Sequence, residues 1–85
     1  MAQVEVSIGD MIYDPDPVPV KKGDTVVWTN NDTSSHTATA DDKSFDTGRL
    51  ASGKSSKPIL FNKSGTVPYH CTIHGSSMNG TVEVS

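Results

Sequence analysis

The C-terminal part of the chain reads Thr66-Val67-Pro68-Tyr69-His70-Cys71-Thr72-Ile73-His74-Gly75-Ser76-Ser77-Met78-Asn79-Gly80-Thr81-Val82-Glu83-Val84. Apolar and polar residues alternate at both ends of this stretch, with Val67, Tyr69 and Cys71 on one face of its first half. Such alternation is typical of a β-strand with one buried face. The pattern predicts strands over 66–71 and 80–84, joined by a polar loop over 72–79.

The same alternation continues towards the N-terminus. Further strands are predicted over 3–8, 25–30, 36–40 and 58–62. Residues 11–19 are rich in proline and aspartate and are expected to be irregular, and the alternation resumes at Val18 and Val20. Residues 41–53 are polar and irregular, with Phe45 and Leu50 as expected anchors in the core. No segment of ten or more residues has the 3.6-residue period of a helix. The chain is therefore predicted to be an all-β, antiparallel sandwich or barrel of about 7–8 strands, forming a single domain over residues 1–85.

Composition excludes several classes of protein. The 85 residues carry a net charge of −3, which disfavours nucleic acid as a partner because no surplus of cations is available to bind phosphates. One cysteine excludes an internal disulfide and a Cys₄ or Cys₂His₂ zinc site. No apolar run approaches the roughly 18 residues of a membrane span, and the first residues lack the basic and apolar regions of a signal peptide.

Four metal-binding side chains remain to be explained. Cys71, His74 and Met78 occur within eight residues in a Cys-x₂-His-x₃-Met pattern, and His36 follows a polar loop at the start of another predicted strand. Taken singly, each residue is more often part of a core or an ordinary loop. Together, a thiolate, two imidazoles and a thioether form the ligand set that copper prefers, and a His₂Cys site with a weak axial Met is diagnostic of electron transfer.

Several segments resemble the cupredoxins, the small blue-copper proteins of the plastocyanin, amicyanin and pseudoazurin types. These segments are residues 22–32, Ser35-His36-Thr37-Ala38-Thr39-Ala40, Phe45-Asp46-Thr47-Gly48 and Tyr69-His70-Cys71-Thr72-Ile73-His74. The resemblance covers nearly the whole chain and implies a Greek-key β-sandwich with one type 1 copper at one end. It also implies that His36, Cys71 and His74 are the equatorial copper ligands and that Met78 is the axial ligand.

The resemblance departs from the family pattern in one place. Three residues, Gly75, Ser76 and Ser77, separate His74 from Met78, where the family commonly has two or four. This spacing leaves open a long axial bond, an absent one, or a water in its place.

The resemblance implies further roles around this site. The backbone N–H of Thr37 is expected to point at the Cys71 sulfur, and the outer edge of His74 is expected to face solvent as the route for electrons. The expected docking surface around His74 comprises Met11, Ile12, Pro15, Ile73 and Gly75. His70, by alternation, faces away from Cys71 and the metal.

The function expected from these features is that of a mobile one-electron carrier rather than an enzyme. It would cycle one copper between Cu(I) and Cu(II) and dock transiently on larger redox proteins, as a monomer in the periplasm or another exported compartment. The main alternative is an enzyme-like copper site with an open axial position that acts on a small molecule such as nitric oxide. A copper chaperone and a structural zinc site are weaker alternatives. The aspartates form two groups, Asp14 with Asp16 and Asp41 with Asp42 and Asp46, which either steer a basic partner or are ordinary solvated loop residues.

Overall fold

The computed structural model describes residues 2–85, without the side chain of Ser76. Within this part of the chain the backbone forms eight strands and no helix, and accordingly no helix that could cross a membrane. The strands are β1 (Gln3–Gly9), β2 (Ile12–Asp14), β3 (Val18–Val20), β4 (Asp24–Asn30), β5 (Thr39–Ala40), β6 (Ile59–Phe61), β7 (Gly65–Cys71) and β8 (Gly75–Val84).

The strands form two four-stranded sheets packed face to face. The first sheet has the order β2-β1-β4-β6 and the second has the order β3-β8-β7-β5. Alternate residues of each strand point into a shared apolar core, as in β1, where Val6 and Ile8 are fully buried and Glu5 and Ser7 are exposed. The predicted all-β sandwich of 7–8 strands is therefore confirmed.

Two of the strand pairs are parallel, whereas the sequence predicted antiparallel pairing throughout. β1 runs parallel to β4, from Gln3 opposite Thr25 to Ile8 opposite Asn30, and β3 runs parallel to β8. Between β1 and β4, the chain passes through β2 and then crosses to β3 in the other sheet. Such a long crossover brings the returning strand alongside in parallel, whereas a short hairpin makes the pair antiparallel.

The element boundaries differ from the predicted ones in three places. β2 lies within residues 11–19, where no strand was predicted before Val18, and it pairs with the end of β1. β8 begins at Gly75 rather than Gly80, so the loop that was predicted over 72–79 is a turn of three residues. His36 makes an isolated bridge to Leu50, and the strand predicted over 36–40 is reduced to Thr39–Ala40.

Aromatic rings fill the centre of the core. Trp28 stacks on Phe45 with 5.1 Å between ring centroids and meets Tyr69 edge-on at 5.3 Å. Tyr69 in turn meets Tyr13 edge-on at 4.6 Å. Phe45 and Leu50, the anchors expected in the irregular segment, are both buried. These contacts attach the long connection between β5 and β6 to the sandwich.

One end of the sandwich brings together three connections, and it is called the ligand end below. They are the turn between β1 and β2, the segment between β4 and β5, and the turn between β7 and β8. The side chain of Asn30 shapes the middle connection, because its amide donates to the carbonyls of Ser34 and Leu50 and its oxygen accepts from Asp32 N–H. Asn30 is fully buried, so these bonds replace water for each of its polar atoms.

Candidate metal centre

Three of the four predicted ligands converge at the ligand end. His36, Cys71 and His74 lie together, with their ligand atoms all within 4.8 Å of one another. In the described part of the chain, no other three His, Cys, Asp or Glu side chains form such a group. The Cys71 Sγ atom lies 3.3 Å from His74 Nδ1 and 3.8 Å from His36 Nδ1. His36 and Cys71 are fully buried and His74 is half-buried, so the third ligand alone reaches the surface.

The surroundings of Cys71 favour the thiolate. Burial by itself raises the pKa of the thiol, but the Thr37 N–H and the imidazoles of His74 and His36 outweigh it and lower the pKa from 9.0 to about 6. The Thr37 N–H lies 3.5 Å from Sγ, as the resemblance implied. A thiolate is the form of cysteine that binds metals, so the site is prepared for a soft cation.

His36 is held by a carboxylate that the sequence analysis did not single out. Its Nε2 lies 2.9 Å from Asp32 Oδ2, which also accepts from Met11 N–H. The bond from His36, followed by those from the N–H groups of Thr33 and Met11, lowers the pKa of Asp32 to about 2. The bond from Nε2 to the carboxylate orients the ring so that Nδ1, the nitrogen that would bind a metal, faces Cys71. The four-residue separation of Asp32 and His36 was the available signal, but Asn31, Thr33 and Ser34 are equally polar.

Met78 is buried, with 2% of its side chain exposed, and belongs to the same core cluster as Cys71. β7 and β8 keep one register from Gly65 opposite Val84 to His70 opposite Asn79. Continuing that register would place Met78 opposite Cys71, but Cys71 pairs with Gly75 instead. Residues 76–78 therefore form a bulge in β8, without partners on β7. The bulge accommodates the unusual spacing between His74 and Met78 within one strand.

Exposed apolar side chains occur at the ligand end. Met11, Ile12 and Ile73 are 40%, 60% and 46% exposed, and they are three of the four large apolar side chains exposed to this extent in the described residues. Ile73 adjoins His74, and the Met11 backbone adjoins the Asp32 that holds His36. Ile73 is thus next to the ligand that reaches the surface, and Met11 and Ile12 belong to the β1–β2 turn and the start of β2 at the same end of the sandwich.

His70 lies outside the ligand cluster, as alternation predicted. Its Nδ1 is 2.7 Å from Asp41 Oδ1, and both side chains are partly exposed. Asp41 therefore interacts with His70, whereas the sequence analysis grouped it with Asp42 and Asp46.

Comparison with known proteins assigns the family. The family model for copper binding proteins of the plastocyanin/azurin family matches residues 1–85. The chain is a cupredoxin. Plastocyanin from Scenedesmus fuscus is 31% identical to it, in an alignment that covers 89% of this chain and 89% of that one.

Solved structures similar to this cupredoxin include amicyanin. An oxidised methionine-to-leucine variant of amicyanin matches with a TM-score of 0.86 and 28% identity, over 96% of this chain and 81% of that one. A purple cupredoxin from Nitrosopumilus maritimus matches with a TM-score of 0.84 and 27% identity, over the whole of both chains.

The donor atoms of this cupredoxin fit one type 1 copper. A thiol with a lowered pKa, two imidazoles near it and a buried thioether in the same cluster are the set that copper prefers and that a hard cation does not. The family and the donor set thus agree on copper as the cofactor.

Proposed function

We propose that this cupredoxin is a mobile one-electron carrier in which His36, Cys71, His74 and an axial Met78 hold a single copper. The observation that carries the proposal is the convergence of one thiol and two imidazoles at one end of a rigid sandwich. Bound copper supplies a one-electron couple between Cu(II) and Cu(I). The chain positions the donors before the metal binds, which keeps reorganisation small when an electron is exchanged.

The exposed edge of the site supports transfer through His74. His36 and Cys71 are fully buried, whereas His74 is half-buried and follows the exposed Ile73. A small apolar surface permits brief docking, because apolar side chains are desolvated at little cost. Redox proteins are proposed to dock here, around His74, Met11, Ile12 and Ile73.

Charge near this surface favours a partner with basic groups. Asp10 precedes Met11 in the β1–β2 turn, Asp14 ends β2 and Asp16 follows it, and all three are exposed. Carboxylates beside an apolar contact steer a cationic partner and mainly raise its association rate.

The similarity to plastocyanin and amicyanin supports the remaining parts of the proposal. Residues 1–85 act as a single domain and as a monomer, in an exported compartment such as the periplasm. An enzyme-like open copper site receives no support, because Met78 is buried beside Cys71 rather than withdrawn to the surface.

Copper titration followed by absorption spectroscopy tests the proposal. Adding one equivalent of Cu(II) should produce an intense visible band from the Cys71 sulfur, and ascorbate should bleach it reversibly over repeated cycles. Zn²⁺ loading should leave the protein colourless, and Cys71→Ser should abolish the band because no thiolate remains. The carrier function would be refuted if the protein stayed colourless with Cu(II), or if the visible band did not return on reoxidation.

Electron self-exchange between two copies measures the docking surface. NMR line broadening in mixtures of the Cu(I) and Cu(II) forms should give a rate that falls when Ile12 or Ile73 is changed to Lys. Leu60→Lys is the matched control, since Leu60 is equally exposed on β6, away from the ligand end.

A further inference from the structure

The segment Phe45-Asp46-Thr47-Gly48 is one of the motifs that resemble the family, yet it supplies no ligand. It lies along the residues that follow His36: Thr47 N–H donates to the Ala38 carbonyl and Ala38 N–H donates to Thr47 Oγ1. Asp46 Oδ1 accepts two hydrogen bonds, from the Thr39 hydroxyl at 2.9 Å and from Gly48 N–H at 2.8 Å. Asp46 is thus attached to the buried Thr39, whereas Asp41 and Asp42 bond to His70 and to Ser44 N–H.

A chain of hydroxyl groups continues from Thr39 to the ligand turn. Thr39 Oγ1 lies 3.1 Å from Thr37 Oγ1. Thr37 Oγ1 lies 2.9 Å from the backbone N of Thr72 and 3.2 Å from Thr72 Oγ1. Thr37 and Thr39 are both buried, so their hydroxyls depend on these partners.

The carboxylate sets the direction of the whole chain. An ionised carboxylate only accepts, so the Thr39 proton points to Asp46 and the Thr39 oxygen accepts from Thr37. The Thr37 proton is then committed to Thr39, and its oxygen is an acceptor for both donors of Thr72. Each bond polarises the next, so the charge of Asp46 strengthens the bond to the Thr72 amide.

This series of hydroxyl groups ends at two residues next to Cys71, Thr37 and Thr72. Thr72 follows Cys71 directly, and Thr37 donates its own backbone N–H to Cys71 Sγ. Thr37 therefore contacts the sulfur through its backbone and the ligand turn through its side chain. The Thr37 side chain and the Thr37 N–H that faces the sulfur belong to one residue, so the hydroxyl bonds help to fix the position of that N–H.

We propose that Asp46 is a positioning residue for the copper centre, acting through the hydroxyls of Thr39 and Thr37 to hold the Thr72 amide and aim the Thr37 N–H at Cys71. The part that concerns copper rests on the proposed ligand set, whereas the hydrogen-bond chain is a property of the metal-free protein. An N–H directed at the thiolate stabilises its charge most in the Cu(I) state and so raises the reduction potential.

Two neutral substitutions separate positioning from charge. Loss of a nearby negative charge raises the potential, because an anion favours Cu(II) over Cu(I). Asp46→Asn removes the charge but keeps an oxygen that accepts from Thr39, whereas Asp46→Ala removes both. We expect Asp46→Ala to have a lower potential than Asp46→Asn and a shifted sulfur-to-copper absorption band.

Amide hydrogen exchange of the metal-free protein provides a readout that needs no copper. In Asp46→Ala the Thr72 amide should exchange about fivefold faster than in the parent, the factor that corresponds to losing about one hydrogen bond. Asp46→Asn keeps an acceptor for Thr39 without the charge, so its Thr72 amide should exchange more slowly than that of Asp46→Ala. Asp42→Ala is the matched control: it removes the same charge from the same segment, where the Asp42 carboxylate accepts from Ser44 N–H.

The middle of the chain allows an independent test. Thr39→Val removes the hydroxyl with little change in shape and should reproduce the faster Thr72 exchange and the shifted band, whereas Thr39→Ser should restore both. The proposal would be overturned if Asp46→Ala and Asp46→Asn had the same Thr72 exchange rate and the same absorption band. Asp46 would then be a structural residue, even if Asp46→Ala unfolded more easily. If copper does not bind but Thr72 exchange responds as stated, the proposed function fails while the hydrogen-bond chain stands.

Discussion

Individual side chains at the ligand end differ in how tightly their neighbours hold them. Cys71 is approached by a backbone N–H and two imidazoles, and His36 is held by Asp32. Met78 is held differently, by burial among apolar side chains next to Cys71. A thioether needs no hydrogen bond to be positioned, so packing is sufficient for a weak axial ligand.

Met78→Leu tests the axial role. Leucine has nearly the same volume, so the free energy of unfolding should fall by less than about 1.5 kcal/mol. Copper and its colour should be retained, but the reduction potential should rise because a hydrocarbon gives Cu(II) no electron density. Voltammetry measures the potential, and Met11→Leu is the control, since Met11 is an exposed thioether at the same end. Loss of copper binding in Met78→Leu would contradict an axial role.

The residue types of the site could be predicted from the sequence, but their partners could not. His36, Cys71, His74 and Met78 are rare residues in this chain, with one cysteine and three histidines in 85 residues, so their pattern stands out. Asp32 is one of many polar residues in its loop. Its role depends on the side-chain bonds of Asn30 that fold the loop back, and these are not visible as a pattern.

The β7–β8 hairpin is the element that delivers most of the site. β7 ends at Cys71, the turn carries His74, and the bulge of β8 contains Met78. The hairpin is packed against the core through Gly80, where an added Cβ would lie 2.8 Å from the Tyr69 ring and 3.2 Å from Tyr13. The absence of a side chain at Gly80 therefore allows the two tyrosines to pack under β8.

Gly80→Ala should destabilise the hairpin. A methyl group at this position forces the Tyr69 ring to move, and overpacking of this kind costs about 1–3 kcal/mol. Urea denaturation measures the change. Gly9→Ala is the matched control, because Gly9 is also a strand glycine but has open space around its Cβ position. Equal stability of the two variants would mean that the Tyr69 ring adapts without cost.

Strand positions followed from alternation where one face is buried, as in β1 and β7. β2 escaped prediction because its three residues sit among prolines and aspartates, and its strand character comes from pairing with β1. The early start of β8 likewise depends on pairing, since Gly75 and its polar neighbours show no alternation.

On the scale of the whole molecule, one end of the sandwich carries the metal ligands and the other end connects the two sheets. The ligand end combines buried donors with exposed apolar side chains. At the far end, the Asp24 carboxylate accepts from the backbone N–H groups of Ala2 and Lys21. Asp24 thereby joins the start of the first sheet to the residue that follows β3 in the second.

Acid should weaken this connection between the sheets. The N–H groups of Lys21 and Ala2 lower the pKa of Asp24 below its ordinary value of 3.8. A carboxylate with a lowered pKa contributes stability that is complete above the unfolded pKa and is lost as pH falls through the folded one. The difference in free energy of unfolding between the parent and Asp24→Asn should therefore be constant above about pH 5. It should shrink as the pH falls below about 4. Urea unfolding at a series of pH values measures it, with Asp14→Asn as the control for altered net charge. A difference that persists unchanged into strong acid would contradict this role.

The sequence by itself determined the donor set, the all-β class and the family, because these depend on residue type, period and spacing along the chain. Only the tertiary structure decided which side chains support the donors. Asp32 beside His36, the bulge that places Met78, and the path from Asp46 through Thr39 and Thr37 join residues brought together by folding. The parallel pairing of β1 with β4 was decided in the same way, because a crossover between sheets is a property of the packed chain rather than of either strand.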